Sequence, residues 1–181
     1  KMAADLQEAF ERHQIHCLNV DDEHPLKHAI GLEERENDAL YLQSDCDAQL
    51  FIHLTFSQVV KVHSLLFMCA QSVRDKGPTK ALVYVNKPTL DFSGVDSEKP
   101  VMELQITEEN LAGKPIEMKF TSFQNVSTLS VFVKENATGD EDETTCLSKL
   151  VVLGFTTAGE GRKRSLEEQK SAQQGDWLNS K

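Results

Sequence analysis

The feature that most constrains this chain is an alternation of side chains at residues 50–56, directly after a short acidic segment at residues 44–47. Alternation with a period of two is typical of a strand that buries one face in a core. The predicted core face carries Leu50, Ile52, Leu54 and Phe56. The segment before it reads Ser-Asp-Cys-Asp, and such side chains bond readily to nearby backbone. We therefore predict a central core strand that the chain enters through an ordered acidic loop.

The same theme of short apolar runs and polar turns continues along the chain. A link at Ser57 and Gln58 is predicted to separate the first strand from the next. Further strands are predicted at residues 59–68, 80–86, 101–106, 116–120, 129–133 and 146–155. About eight short strands with little helix predict an all-β fold, a jelly-roll β-sandwich of the galactose-binding type, with an open barrel as the alternative.

The two ends of the chain differ from this pattern. Residues 4–15 have helical spacing, with Leu6 and Phe10 on one face, and predict a short helix that packs on the body. Residues 160–181 are polar and predict a mobile tail. We expect a helical extension at residues 1–16, a sandwich domain at residues 17–159 and a tail at residues 160–181.

The charge of the chain limits the partners that it can bind. The 181 residues carry a formal net charge of −10, and the pI is about 5.0. Nucleic acids and anionic membranes both require a cationic surface, so we predict neither as a partner. No apolar run approaches the ~18 residues of a membrane span. We expect a monomer in the cytoplasm, and the basic run at residues 162–164 is a candidate signal for nuclear import.

No catalytic residue, cofactor or metal site is predicted. The motifs of serine hydrolases, zinc proteases and phosphate-binding loops are absent. His53 and His63 are expected on adjacent strands, facing solvent, and two ligands do not make a zinc site. The cysteines lack the C-x-x-C of thioredoxin-type redox sites and of zinc knuckles; they are Cys17, Cys46, Cys69 and Cys146. Cys46 stands between two aspartates, and their charge disfavours its thiolate.

Several motifs occur in an order that resembles a known family, the PITH domain. They are C-L-N at residues 17–19, L-x-S-D-C-D-A-Q-L at residues 42–50, V-K-V-H-S at residues 60–64, G-P-x-K at residues 77–80, D-F at residues 91–92, F-Q-N-V at residues 123–126 and L-x-V-F-V at residues 129–133. No single motif is specific, but together they support a resemblance that covers residues 17–159.

The resemblance implies a jelly-roll sandwich of the galactose-binding-like type, in agreement with the strand pattern. It also implies association with the proteasome, because the family name stands for proteasome-interacting thioredoxin. Since the C-x-x-C of a thioredoxin domain is absent here, redox activity is not carried over to this chain.

Loops on a rigid sandwich are the places where recognition tends to occur. We therefore expect a non-enzymatic protein-interaction module that associates with the 26S proteasome through polar loop motifs. The candidate binding residues are Ser44, Asp45, Asp47, Gly77, Pro78, Lys80, Gln124 and Asn125. The alternative is a module that binds a small ligand, either a glycan or a Ca²⁺ ion held by Asp45, Asp47 and loop carbonyls.

Overall fold

The computed structural model describes residues 2–157, and its regular structure is almost entirely β. Two single-turn helices occur there, α1 (Lys27–Ile30) and α2 (Glu108–Leu111). None of the helices in this part of the chain is long and apolar enough to cross a membrane. The strands are β1 (Ala4–Asp5), β2 (His16–Leu18), β3 (Leu42–Gln43), β4 (Leu50–Met68), β5 (Pro78–Val85), β6 (Met102–Gln105), β7 (Ile116–Glu117), β8 (Val126–Asn136), β9 (Cys146–Leu147) and β10 (Lys149–Thr156).

Strand β4 is 19 residues long and has different neighbours along its two halves. Its first half pairs with β2 and β8, and its second half pairs with β10 and β7, all antiparallel. The register shifts between Thr55 and Val60, where the strand passes from one set of neighbours to the other. The strand therefore belongs to two layers, β2–β4–β8–β5–β6 and β1–β10–β4–β7. This arrangement is a jelly-roll β-sandwich, and the predicted fold class is confirmed.

The core lies between these layers and uses the alternating face predicted from the sequence. Leu50, Ile52 and Leu54 are fully buried, and Phe56 is nearly so. Strand β8 lies beside them in the same layer and adds Leu129, Val131 and Val133. The second layer adds Val62, Leu65, Phe67, Leu150 and Val152. Burial of such side chains stabilises a fold by about 1.5–3 kcal/mol each, so this one cluster supplies the main driving force for folding.

The outer face of the first layer is also covered. Phe51 and Phe132 lie there on neighbouring strands, with ring centroids 6.1 Å apart. Phe92, from the loop that follows β5, sets its ring edge-on against both, at 5.8 Å and 5.7 Å. Tyr84 completes this smaller cluster. The Asp-Phe motif at residues 91–92 therefore closes the outside of the sheet.

Some details of the predicted strands differ from the structure. The strands predicted on either side of Ser57 and Gln58 are one continuous strand, which passes through these two residues at a register shift. The strand predicted at residues 116–120 ends after Glu117 and passes into a 3₁₀ turn, Phe120–Ser122. His53, predicted to face solvent, is buried, at 3% exposure, because its ring lies against His16 of β2 and within hydrogen-bond distance of Ser130 on β8.

The N-terminal segment is not the predicted helix. It contains β1, which pairs with β10, followed by two 3₁₀ turns, Gln7–Ala9 and Arg12–Gln14. Leu6, Ala9 and Phe10 still point into the core, and Phe10 forms a bridge with Phe56. The backbone of β1 hydrogen-bonds to the free edge of β10 instead of forming helical hydrogen bonds. The spacing therefore predicts the buried apolar residues correctly but not the backbone conformation. The tail predicted at residues 160–181 lies outside the described residues.

Gly154 allows β10 to approach β4 closely at a second register shift, between Leu153 and Gly154. A Cβ atom on this residue would stand 2.0 Å from the Lys61 carbonyl oxygen and 2.9 Å from Leu6 Cδ1. We expect Gly154→Ala to lower the free energy of unfolding by about 1–3 kcal/mol, because the two strands must separate locally. Chemical denaturation measures this. Ser127→Ala, an exposed change on β8, serves as the control and should stay within about 0.5 kcal/mol of wild type. Equal stability of the Gly154→Ala variant would contradict the close approach.

Candidate protein-binding surface

The acidic segment at residues 44–47 is held by Asn19, which follows β2 in a left-handed backbone conformation with φ 61°. Asn19 Nδ2 donates to Asp47 Oδ1 at 2.8 Å and to the Gln49 carbonyl at 2.6 Å. Asn19 Oδ1 accepts from the backbone N–H of Cys46 at 3.2 Å. Asp47 Oδ1 also accepts from the Gln49 N–H. The segment is therefore the ordered loop predicted from the sequence, and its order depends on an asparagine that lies well upstream.

A second set of buried polar groups ties this loop to the acidic loop between β8 and β9. Ser44 is fully buried, and its Oγ accepts from the Thr145 N–H at 2.8 Å. Thr145 Oγ1 donates to the Ala48 carbonyl at 2.6 Å and accepts from Asn136 Nδ2 at 3.1 Å. The Ala48 N–H donates to the Glu141 carbonyl. Both loops are therefore fixed to each other through groups that have no contact with solvent.

The Gly-Pro turn at residues 77–78 meets the same end of the sandwich. The Gly77 carbonyl accepts from the Ala137 N–H at 2.9 Å, and Pro78 lies opposite Asn136 in the sheet. Gly77 and Pro78 are buried. Lys80 follows on β5 and contacts two carboxylates, Glu103 at 3.3 Å and Glu135 at 3.9 Å. The structure thus brings two of the three predicted loop motifs together.

The third predicted motif lies at the opposite end of the sandwich. Gln124 and Asn125 precede β8, whereas Asn136 closes it, and a strand of this length spans about 33 Å. Gln124 Nε2 donates to the Phe120 carbonyl at 2.6 Å. The Asn125 carbonyl accepts from Asn86 Nδ2 at 2.8 Å, so both residues organise the turn before β8. Phe123 and Val126, on either side of them, are fully buried.

We use the term acidic end for the surface formed by Asp45, Asp47 and residues 140–143. Four of these residues, Asp45, Asp140, Glu141 and Asp142, are exposed and form no salt bridge within residues 2–157. Glu143 pairs with Lys76 at 3.0 Å. The loop at residues 140–143 is visible in the sequence as an acidic turn, but only the network at Thr145 shows that it adjoins Asp45. Carboxylates held this way form a fixed negative surface that needs no ordering to bind.

A small hollow lies beside the acidic end. Its volume is about 230 Å³, and it is lined by Ala48, Gly139 and residues 134–136 and 140–141. Within the part of the chain that the structure describes, no group of three or more His, Cys, Asp or Glu side chains is placed to hold a metal ion. A Ca²⁺ ion at Asp45 and Asp47 would therefore have no third carboxylate ligand among the described residues.

The two histidines singled out from the sequence do not come together. His53 lies in the first half of β4 and His63 in the second half. His53 contacts His16 instead, with ring centroids 5.0 Å apart, and its Nδ1 lies 2.8 Å from Ser130 Oγ. Burial lowers the pKa of His53, and nearby His16 lowers it further. The serine and the histidine are both buried, so no substrate reaches this pair.

Burial also makes three of the cysteine thiols poor nucleophiles, because it raises their pKa. It raises the pKa of Cys17 and of Cys69 to about 12 and that of Cys146 to about 11. Cys46 is exposed, and its thiol donates to Asp45 Oδ2 at 3.2 Å. This hydrogen bond, together with the charges of Asp45 and Asp47, raises the pKa of Cys46. All four pKa shifts therefore favour the protonated thiol, which is less reactive than the thiolate.

The central hydrogen-bond network predicts a specific loss of stability. Thr145→Val keeps the shape of the side chain but removes the hydroxyl shared by Ala48 and Asn136, and we expect it to cost about 1–3 kcal/mol. The matched control is Thr128→Val, because Thr128 Oγ1 is buried with no hydrogen-bond partner among the described residues. We expect that change to leave the melting temperature equal or higher. Equal effects of the two substitutions would contradict the role of Thr145.

Thiol labelling tests the cysteine assignments. In the folded protein at pH 8 we expect Cys46 to react, more slowly than a free thiol, while the other three stay unlabelled until the protein unfolds. Asp45→Ala removes both the acceptor and the charge, so it lowers the Cys46 pKa and speeds labelling. Mass spectrometry reads the labelled positions, and Cys46→Ser is the blank. Fast labelling of any cysteine at neutral pH in the wild type would favour a redox role instead.

Comparison with known proteins finds relatives of this chain by sequence. The sequence model of the PITH domain matches residues 1–173. Thioredoxin-like protein 1 of Schizosaccharomyces pombe is 34% identical over 168 residues, which cover 91% of this chain and 56% of that protein. The human PITH domain-containing protein 1 is 24% identical over 128 residues, 70% of this chain and 59% of that protein. The chain thus spans little more than half the length of these relatives.

A solved structure agrees with the architecture. The family 32 CBM from Clostridium perfringens NanJ, in complex with galactose, superposes with a TM-score of 0.62 at 14% identity, and the match covers 84% of this chain and 99% of that one. This likeness establishes the galactose-binding-like jelly roll. The family match extends over almost the whole sequence, and the ordered motifs that it contains occupy defined places in this sandwich. The chain belongs to the PITH domain family.

Proposed function

We propose that this chain is a non-enzymatic protein-interaction module that docks on the 26S proteasome through its acidic end. The observation that carries the proposal is the network joining Ser44, Thr145 and Asn136, because it fixes two acidic loops as one surface. The family name supports the choice of partner, and we propose the cytoplasm and the nucleus as its location. Among the eight candidate residues, Asp45 offers the most exposed carboxylate, whereas Ser44, Gly77 and Pro78 support the surface from inside.

The charge of this surface defines the partner's chemistry. Asp45, Asp140, Glu141 and Asp142 present negative charge that no salt bridge among the described residues compensates, so the complementary surface carries Lys or Arg. Such contacts steer association and fix orientation, and salt at physiological strength screens them beyond about 8 Å. We therefore expect association to weaken as the ionic strength rises.

A charge-reversal experiment tests the surface. The double variant Asp45→Lys, Glu141→Lys changes two exposed side chains that make no hydrogen bond to the backbone, so the fold should persist. Its control is Glu8→Lys, Glu117→Lys, the same change in net charge at exposed positions on other parts of the sandwich. With the tagged chain as bait in cell extract, we expect the first variant to lose most of the proteasome subunits that wild type recovers and the control to retain them.

Two outcomes of this experiment separate the parts of the proposal. Recovery of no proteasome subunit by wild type would contradict the choice of partner. Equal recovery by both variants would contradict the acidic end as the contact surface while leaving the partner in place. Melting temperatures of both variants, compared with wild type, show whether a lost interaction reflects a lost fold.

A second function, binding of a small glycan, is favoured by the hollow beside the acidic end together with the fold. The hollow of about 230 Å³ is lined by polar groups of residues 134–136 and 140–141, but no aromatic ring lines it. Lectin-like sites usually add such a ring. NMR titration of the labelled chain with galactose and, separately, with Ca²⁺ tests this function. If the amide resonances of residues 134–141 do not shift at millimolar ligand, the hollow does not bind that ligand.

A further inference from the structure

A groove of about 700 Å³ lies between the N-terminal segment and α1 and shares no residue with the acidic end. We call it the N-terminal groove. Phe10, Leu26 and Ile30 line it and are buried parts of the hydrophobic core. Leu32 lines it as well, with 46% of its surface exposed. Sites that bind ligands have volumes of about 300–1,000 Å³ and mostly apolar linings, so this groove has the size and the character of a binding site.

Strand β2 forms one wall of the N-terminal groove. Ile15 and Cys17 pack against the hydrophobic core, whereas the exposed His16 between them lies on the outer face of the sheet, where its ring contacts His53. All three residues from 15 to 17 line the groove. Successive side chains of a strand point to opposite faces, and both sets line one groove when it runs along the edge of the strand. The groove therefore follows the edge of β2.

That edge of β2 is open. Antiparallel pairing with β4, in which Cys17 lies opposite Ile52, uses the other edge. No backbone hydrogen bond joins the open edge to any residue in the described range 2–157. The far edge of the same layer is β6, but residues 102–105 line neither this groove nor the hollow beside the acidic end. An open edge presents unpaired N–H and C=O groups with which another extended segment can pair.

A side chain beside the groove also lacks a partner. Gln7 lines the groove, and its Oε1 atom is buried without a hydrogen-bond partner among the described residues. A buried acceptor that stays unpaired costs free energy, so an occupant that brings N–H donors is favoured over a purely hydrocarbon one. A peptide carries such donors along its backbone.

The charges that line the groove balance one another. They belong to two cations, Arg12 and Lys27, and two carboxylates, Glu33 and Glu34. Lys27 pairs with Glu34 at 2.5 Å. In a chain with a net charge of −10, this lining has no net charge, unlike the acidic end. Charge complementarity therefore selects an uncharged occupant, in contrast to the basic surface that complements the acidic end.

We propose that the N-terminal groove binds an extended, uncharged peptide segment of a partner protein, which adds a strand to the open edge of β2. In this mode of binding, backbone hydrogen bonds provide affinity and alternate side chains provide specificity. Side chains on the core-facing side enter the groove against Phe10, Leu26 and Ile30, so these positions of the peptide are apolar. The intervening positions share the exposed face of His16 and are polar.

The length of β2 limits the length of the segment. Residues 15–18 are available for pairing, and such a stretch spans about 13 Å, so about four residues of the partner form the added strand. The proposal is independent of the proteasome assignment, because none of the residues that carry it belongs to the acidic end.

Peptide titration, followed by NMR of the labelled full chain, tests the proposal. The probe is acetyl-Ser-Thr-Val-Thr-Val-Thr-Ser-amide, in which apolar and polar side chains alternate and no group is charged. We expect amide shifts confined to residues 7–20 and 25–34. If no resonance in these ranges shifts at millimolar peptide, the proposal is overturned.

Two methylated forms of the probe serve as matched controls for strand addition. One carries N-methyl groups on both valines and the other on the two threonines that precede them. Because the N–H groups of successive residues in a strand point to opposite edges, only one form loses the hydrogen bonds to β2. We expect that form to bind about tenfold more weakly and the other to bind like the parent peptide. Equal affinity of the two forms would contradict strand addition.

A pair of protein variants tests the groove. Leu32→Asp introduces a charge into the lining and should weaken binding of the probe about tenfold. Val59→Asp is the matched control, because Val59 is also an exposed aliphatic residue, at 42%, but does not line the groove. Equal effects of the two changes would overturn the proposal. Resonances of residues 15–18 that shift on dilution of the wild type, with a dimer seen by sedimentation, would assign the open edge to a second copy and overturn the peptide as its occupant.

Discussion

The structure depends on the burial of β4 along both of its faces and on the pairing of both its edges. Its first half carries Leu50, Ile52 and Leu54 into the core and Phe51 into the outer aromatic cluster. Its second half carries Val62, Leu65 and Phe67 into the same core from the other layer. Because one strand supplies both layers, their relative position follows from the course of a single stretch of backbone. The register shift near residues 55–60 is the point at which that course changes.

The polar groups of the domain divide into two kinds with different tasks. Asn19, Ser44, Asn136 and Thr145 use their hydrogen bonds within the protein and leave none for a partner. The carboxylates of the acidic end are instead available to a partner, because their backbone is fixed while their side chains are exposed to solvent. A loop that is ordered before binding loses little conformational entropy when it binds. This division explains how short loops without a metal or a disulfide among the described residues offer a defined surface.

Much of the fold could be predicted because its local patterns and its tertiary contacts agree. The core face of β4 and the ordered acidic loop both follow from period and turn chemistry. The helix predicted for residues 4–15 failed because the apolar spacing of Leu6 and Phe10 is compatible with 3₁₀ turns as well, and pairing of β1 with the edge of β10 decided between them. The prediction that His53 faces solvent failed for a related reason: alternation shows which residues share a face, but the burial of His53 depends on His16 and Ser130, which lie on other strands.

The candidate site shows the same limit. The acidic loop at residues 44–47 and the acidic turn at residues 140–143 are both evident in the sequence, yet nothing local indicates that they adjoin or that Gln124 and Asn125 lie at the far end. The sequence by itself determined the β class, the core-facing residues and the absence of the usual catalytic and metal-binding motifs, because these depend on neighbours within a few positions. Only the tertiary structure decided which loops share an end and where an apolar groove stays open, because hydrogen bonds such as that between Ser44 and Thr145 join residues about a hundred positions apart.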